Sequence, residues 1–532
     1  MCISGGIIHT ANDAQPRVDA IVVENDRIAY AGSASEGWCP DGSEAYDLAG
    51  HTLYPGLTDA HAHLDGIGKR EIELDLSGVQ SIVELQEVVR NAAEDVPAGE
   101  TVVGRGWIET FWPEERFPNR YDLDAATDAH LVILVRADGH AAVVNSLALS
   151  MSDIDGSTES PEGGAINLGD TGEPTGMLID NAERLVSHLI PKDDEALRAK
   201  AYRLGSEVYA SRGWTNVHSM SMQGEDIGLI NRLANEGDIK IRVYNSVGVF
   251  APKPESNVDS MQGGLSPDAD IVVTRAIKLY ADGALGSRGA ALLAPYSDDL
   301  NNRGLMTLTR ANAIPIYQSA LRNGIQVNTH AIGDMGNKAV LNWYEEAFST
   351  VPKSEWEVEE PRWRIEHSQI LDPVDIARFN ELGVIPSMQP SHAIGDLHFA
   401  VDRLGPDRLG GAYAWRALLD SGVRIAGGSD APVEVGDPRI EFHAAMSRTD
   451  LKGYSNENWN LEQRVSPQEA LKMFTLWPAY AAFQENELGS IEVGKKADFS
   501  VFDKDMLDPD IHPMDTEPVM TMVNGQIIWE RD

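Results

Sequence analysis

Over the first fifty residues, apolar and polar positions alternate in short runs broken by turns, at 6–10, 19–23 and 27–31, the period-2 pattern of half-buried strands. The last forty residues resemble them. Runs at 499–502 and 519–523 are apolar, and Asn524-Gly525 separates the second from 526–529, a strong hairpin signal. Between these ends the pattern changes. Eight short apolar runs begin near Leu57, Trp214, Ile241, Ala276, Ile325, Trp363, Gly383 and Val423, and helical periodicity follows most of them, as at 312–323 and 337–348. Eight strands alternating with helices predict an α/β fold, a (β/α)8 TIM-like barrel, in preference to a doubly wound sheet. The two ends predict a small β-sandwich domain formed from both termini, 1–53 with 487–532, around a barrel of 54–486. A long interval after the first run, about residues 68–195, carries strand-like runs at 101–104 and 131–135 and predicts an inserted subdomain over the barrel mouth.

The first barrel run ends in Asp59-Ala60-His61-Ala62-His63. Side chains alternate along a strand, so His61 and His63 share a face, near the strand end where barrel enzymes carry their chemistry. Two imidazoles so placed suit a divalent metal, although such a pair also arises in cores and on surfaces. Later runs end in Asn328-Thr329-His330, Ile365-Glu366-His367 and Gly428-Ser429-Asp430. Lys278 stands inside the otherwise apolar run Ile277-Lys278-Leu279, where burying an unpaired ammonium is costly. One solution is carbamylation by carbon dioxide, which turns the amine into a carboxylate able to bridge two ions. Five ligand-type residues and a lysine, all at strand ends, argue against a purely structural role.

The segments GLTDAHAHLDG, KLYADGALGSRGAAL, NTHA, RIEH, GGSDAPVE and ELGSIEVGKKADFSVFD resemble, in this order, the signature segments of the amidohydrolase superfamily. The long insertion and ADGALGSRG resemble its third family, the branch containing N-substituted formamide deformylase. The resemblance implies His61, His63 and Asp430 on one metal, His330 and His367 on another, and Lys278 bridging if carboxylated. Zinc is the expected ion, and one or two ions fit. It further implies hydrolysis of an amide or related C–N bond in a small molecule, of N-formyl or N-acyl amine type, with Asp430 as general base toward a metal-activated water. A cyclic-amide or ester hydrolase would share the site. A catalytically silent binding or assembly protein is the alternative of another class, and the full ligand set argues against it.

Further candidates are weaker. His140 and His392 follow strand-like runs and are expected to contact substrate or else to be loop histidines. Arg288, after a Gly-Ser turn, is a candidate for a substrate carboxylate or for surface acids. Trp107 and Trp112 are expected to pack within the insertion, and His218 reads as a core histidine. His9, His51, His188 and His512 carry no motif.

Composition narrows the partners. The formal charge is −40, with 83 Asp and Glu against 43 basic residues, 30 of them Arg and 13 Lys. Such an acidic surface repels phosphate backbones, which excludes nucleic acid as the expected partner. Its acid-rich, lysine-poor character resembles proteins of salt-loving organisms. No apolar run is long enough to span a membrane and no leader pattern opens the chain, so a cytoplasmic enzyme, a homodimer if oligomeric, is expected. Cys2 and Cys39 exclude a multi-cysteine metal site. They could pair, but a reduced setting makes free thiols the simpler expectation.

Overall fold

The computed structural model describes residues 1–35, 38–109, 112–136, 141–161, 164–190, 193–249, 270–457 and 459–531. Contacts divide the chain into two compact units, Met1–Gly66 with Gly205–Asp532, and Ile67–Leu204.

The first unit is built on eight parallel strands in sequential order. They are β1 (Leu57–Ala62), β2 (Trp214–Met222), β3 (Arg242–Gly248), β4 (Val272–Tyr280), β5 (Gln326–Ala331), β6 (Arg364–His367), β7 (Ile385–Met388) and β8 (Ala426–Gly427). Helices Arg310–Arg322 and Asp334–Thr350 flank β5 as the periodicity predicts. Nearly every position of these strands is buried, which explains why they read as continuous apolar runs. The eighth strand is only two residues long, and the segment after it closes the sheet. The amide of Asp430 donates to the His61 carbonyl at 2.6 Å, and that of His63 to the Ala431 carbonyl at 2.8 Å. Gly428 permits this seam, because a Cβ there would lie 2.5 Å from the His61 nitrogen. Asp59 clamps it: its carboxylate accepts from the Ser429 amide (2.9 Å), the Ser429 hydroxyl (2.6 Å) and the Tyr209 hydroxyl (2.8 Å).

Strands from both termini meet in a second, mixed sheet of eight, in which Phe499–Phe502 pairs with Thr52–Pro55 and the hairpin Pro518–Val523/Gln526–Glu530 extends it. Its apolar face gathers Ile3, Ile21, Leu53, Phe499, Val501 and Met520. Cys2 and Cys39 are joined by a disulfide, a correction to the expected free thiols. The reason is topological: Ala45–Asp47 returns parallel to Cys2–His9, and the Cys2 amide donates to the Glu44 carbonyl at 2.7 Å, so Cys39 is carried back beside Cys2. His9 is buried, stacked on Tyr54, and 2.9 Å from Asp505, a structural hydrogen-bonding position.

The second unit holds a six-stranded sheet that includes Thr101–Trp107 and Leu131–Arg136. Trp107 and Trp112 are buried in its core, with their indole nitrogens donating to the carbonyls of Leu134 and Val79 at 2.9 Å. Among the described residues no helix is long and apolar enough to cross a membrane.

Candidate metal centre

At the C-terminal ends of the strands the barrel brings His61, His63, Lys278, His330, His367, His392 and Asp430 together. Ligand atoms of His61, His367 and Asp430 all lie within 4.8 Å of one another. Asp430 Oδ1 is 3.1 Å from His63 Nε2 and 3.4 Å from His61 Nε2. Lys278 Nζ, on β4 and almost wholly buried, is 3.2 Å from His61 Nε2. The His330 ring packs 4.5 Å from that of His367, and the His392 ring stacks 5.9 Å from it. His392 Nε2 reaches to 3.7 Å from Asp430 Oδ2 and 3.8 Å from Glu434.

Two of these side chains reach the centre through strained backbone. Arg364 and Glu366 alternate inward on β6, so simple alternation would turn His367 outward. Its φ of 75° reverses that, and Asp430 has φ 65°. Positive φ at residues with a Cβ costs on the order of 1–3 kcal/mol and concentrates at functional sites.

Proton placement tests whether these residues fit a cation. His61 Nδ1 faces Glu366 Oε2 at 2.5 Å, His63 Nδ1 faces the Met220 carbonyl at 3.0 Å, and His367 Nδ1 faces Gln389 Oε1 at 2.9 Å. All three partners are acceptors, so each Nδ1 carries a proton; the Nε2 atoms of His61 and His367 are thereby left with lone pairs, while His63 Nε2 itself faces Asp430 Oδ1 at 3.1 Å. His330 Nε2 is buried without a hydrogen bond. Burial, with the Lys278 ammonium beside them, pulls His61 down to about 4 and His330 to about 3. Burial and His330 hold His367 well below its ordinary range, and burial lowers Lys278 to about 8. Against burial, His61 and His63 keep the Asp430 carboxyl well below the usual carboxylate range. Neutral His61, His330 and His367, gathered with His63 around an ionised carboxylate, make a donor set suited to a divalent cation.

Other predicted residues lie elsewhere. Arg288 is spent on Asp298, at 2.8 and 3.1 Å, a carboxylate it shares with Arg403. His140 lies outside the described residues. His218 accepts from Arg364 at 2.8 Å in the barrel interior. Several neighbours of the centre escaped the sequence reading. Glu366, Gln389 and Arg364 hold ligand-type histidines or each other, and Asp282 accepts three backbone amides, from Ala291, Ile332 and Gly333, at 2.8–2.9 Å. Tyr280 projects beside His330, its hydroxyl bonded to Ser221. A signal existed for two of them: Arg364 and Glu366 are charged residues two apart in a buried strand.

A parallel eight-stranded barrel with a histidine–carboxylate centre at its strand ends defines a class, and comparison with known proteins places the chain within it. The chain belongs to the amidohydrolase family, whose profile matches residues 44–529. It is 30% identical to YtcJ of Bacillus subtilis (strain 168) over 538 residues, 99% of each chain. It is 27% identical to N-substituted formamide deformylase of Arthrobacter pascens, over 98% of this chain and 97% of that one. The crystal structure of an uncharacterized metal-dependent hydrolase from Pyrococcus furiosus superposes with a TM-score of 0.77 at 27% identity, covering 95% of this chain and 99% of the other.

Proposed function

We propose that the chain is a metal-dependent hydrolase that cleaves an amide or related C–N bond of the N-formyl or N-acyl amine type in a small molecule. The observation that carries this reading is the convergence of His61 and His367, whose Nε2 lone pairs are each fixed by an Nδ1–H donated elsewhere, and of His63 on the ionised Asp430. His61, His63 and Asp430 would hold one divalent ion, with zinc preferred, and His330 and His367 a second, bridged by Lys278 in its carboxylated form. When bound, the ion supplies Lewis acidity and lowers the pKa of a water toward about 7.

The residues of the chain do the rest. Asp430 accepts the water proton as oxygen adds to the carbonyl carbon and returns it to the amine nitrogen as the C–N bond breaks. His392, 3.7 Å from the same carboxylate, stands where a substrate group enters. The likeness to N-substituted formamide deformylase favours N-formyl amines as the first substrates to try.

The test is elemental analysis of the purified protein, followed by zinc-loaded assays against N-formyl amines, N-acyl amines, cyclic amides and esters. Bound divalent metal and turnover of N-formyl or N-acyl amines are expected. Turnover confined to cyclic amides or esters would move the reading to those substrates, and no metal uptake with no activity would overturn it. Lys278→Ala is expected to lose metal, with partial rescue by bicarbonate and a short carboxylate. Full metal retention would make the lysine structural.

A further inference from the structure

Beneath the centre the barrel buries an ion pair that the proposed reaction does not use. Arg364 and Glu366, both fully inaccessible, face inward from β6. Arg364 donates to the Ala60 carbonyl of β1 at 2.6 Å, to His218 Nδ1 of β2 at 2.8 Å, to the Ser387 hydroxyl of β7 at 2.8 Å and to Glu366 Oε2 at 3.0 Å. Its Nε lies 2.7 Å from Glu366 Oε1. One guanidinium thus spans four strands, and three of them carry, at or beside their C-terminal ends, His61 and His63, Met220, and His367. Glu366 then passes the connection on, accepting the His61 Nδ1 proton at 2.5 Å. Of the three Nδ1 protons at the centre this one alone goes to an anion, since Met220 and Gln389 offer neutral oxygens.

A buried ion pair is weak support for a fold, because a well-packed apolar replacement is often as stable or more so. Its retention here calls for another reason, and the geometry supplies one. We infer that Arg364 and Glu366 are a positioning pair for the metal centre: Glu366 fixes His61 as the Nδ1–H tautomer so that Nε2 faces the cation, and Arg364 fixes Glu366 and the strand ends around it. The pair acts through His61 and touches no substrate. This assignment rests on the metal-hydrolase reading above. A carboxylate behind a ligating histidine sets ring orientation and raises ligand basicity, and its loss typically weakens metal binding about 10–100-fold.

The experiment uses the full chain. Nitrogen-15 histidine NMR of the metal-free protein reads the His61 tautomer, and chelator competition measures zinc affinity of the wild type, of Glu366→Gln, which keeps a neutral acceptor, and of the double variant Arg364→Met/Glu366→Leu, which has none. The double variant removes both charges together, so no ion is left buried alone. Nδ1–H at His61 in the wild type is expected, with zinc affinity about 10–100-fold weaker in the double variant at a melting temperature close to wild type. A wild-type His61 protonated at Nε2, or a folded double variant with wild-type zinc affinity, overturns the assignment. A wild type that takes up no zinc, yet shows the Nδ1–H tautomer lost in the double variant, overturns the metal reading instead and leaves the positioning of His61 standing.

Discussion

The two ends of the barrel both bury charge and treat it in opposite ways. At the N-terminal end, Arg242 opens β3 and uses every donor it has. Nε and Nη2 reach Asp498 at 2.5 and 3.1 Å, Nη1 reaches the Asp270 carbonyl and carboxylate at 2.6 and 3.0 Å, and Nη2 also reaches Asn524 at 2.5 Å. Lys496 adds contacts of 2.7 Å to Asp26 and 2.8 Å to Asp270. Burial alone would lower Arg242, but Asp498 raises it; burial alone would raise Asp270, but Lys496 and Arg242 bring it to about 2. At the C-terminal end the carboxylates Asp430 and Glu366 are held ionised against burial, but His61, His330 and His367 give up their charge, and His330 and His392 keep Nε2 atoms without a hydrogen bond. Buried charge by itself therefore marks no site. Unspent hydrogen-bonding capacity gathered on several imidazoles around one carboxylate does.

The largest effect that separates the two ends is catalytic. Asp430→Asn in metal-loaded protein is expected to lower kcat about 10²–10⁴-fold with little change in melting temperature. A variant that keeps more than a tenth of wild-type turnover would remove Asp430 as the base. The opposite end should respond in the opposite currency. Arg242→Met strands Asp498 in the interior, at a cost of about 3–5 kcal/mol in urea unfolding, while activity per folded molecule stays at the wild-type level. Lost activity at unchanged stability would break the division between the ends.

Asp396 sharpens it further, as an acid near His392 that burial raises to about 6, with the Tyr413 hydroxyl at 2.7 Å opposing. A carboxyl raised by folding contributes stability below its unfolded value, near 3.8, and that contribution is lost as pH climbs through about 6. Asp396→Asn should therefore stabilise the protein at pH 8 by on the order of 1–3 kcal/mol and change little at pH 4. Equal effects at both pH values would show that the carboxyl titrates normally. The smallest effect per charge comes from the surface. A net charge of −40 repels itself through dilute buffer, where the Debye length is about 10 Å at 0.1 M against about 3 Å at 1 M. The melting temperature should climb with KCl while the buried centre is unaffected. A flat or falling curve would end the comparison with salt-adapted proteins.

The strands were legible because their periodicity is local. Expected starts at Leu57 and Trp214 coincide with the observed ones, and those near Ile241, Ile325 and Trp363 differ by one residue. The start near Ala276 came late, since β4 begins at Val272 and Thr274 and Arg275 mask its beginning. The ligand-type residues were legible because they end those same runs. What escaped were partners. Glu366 was visible as a charge in a buried strand, but nothing local pairs it with His61, 305 positions away. Arg288 showed a cation after a turn, and only the folded loop supplies Asp298.

By itself, then, the sequence determined what depends on neighbours along the chain: the alternation of strands with helices, the faces of the strands, the inventory of histidines at their ends, and the sign of the surface. Tertiary structure alone decided which nitrogen of His61 and of His367 carries its proton, that His367 and Asp430 turn inward through positive φ, that Cys2 meets Cys39, and that Arg242 is saturated where His330 is not. The physical reason is range. Periodicity and propensity act over a few residues, whereas tautomers, pKa values and hydrogen-bond saturation depend on atoms within about 3 Å, which this fold collects from strands hundreds of residues apart.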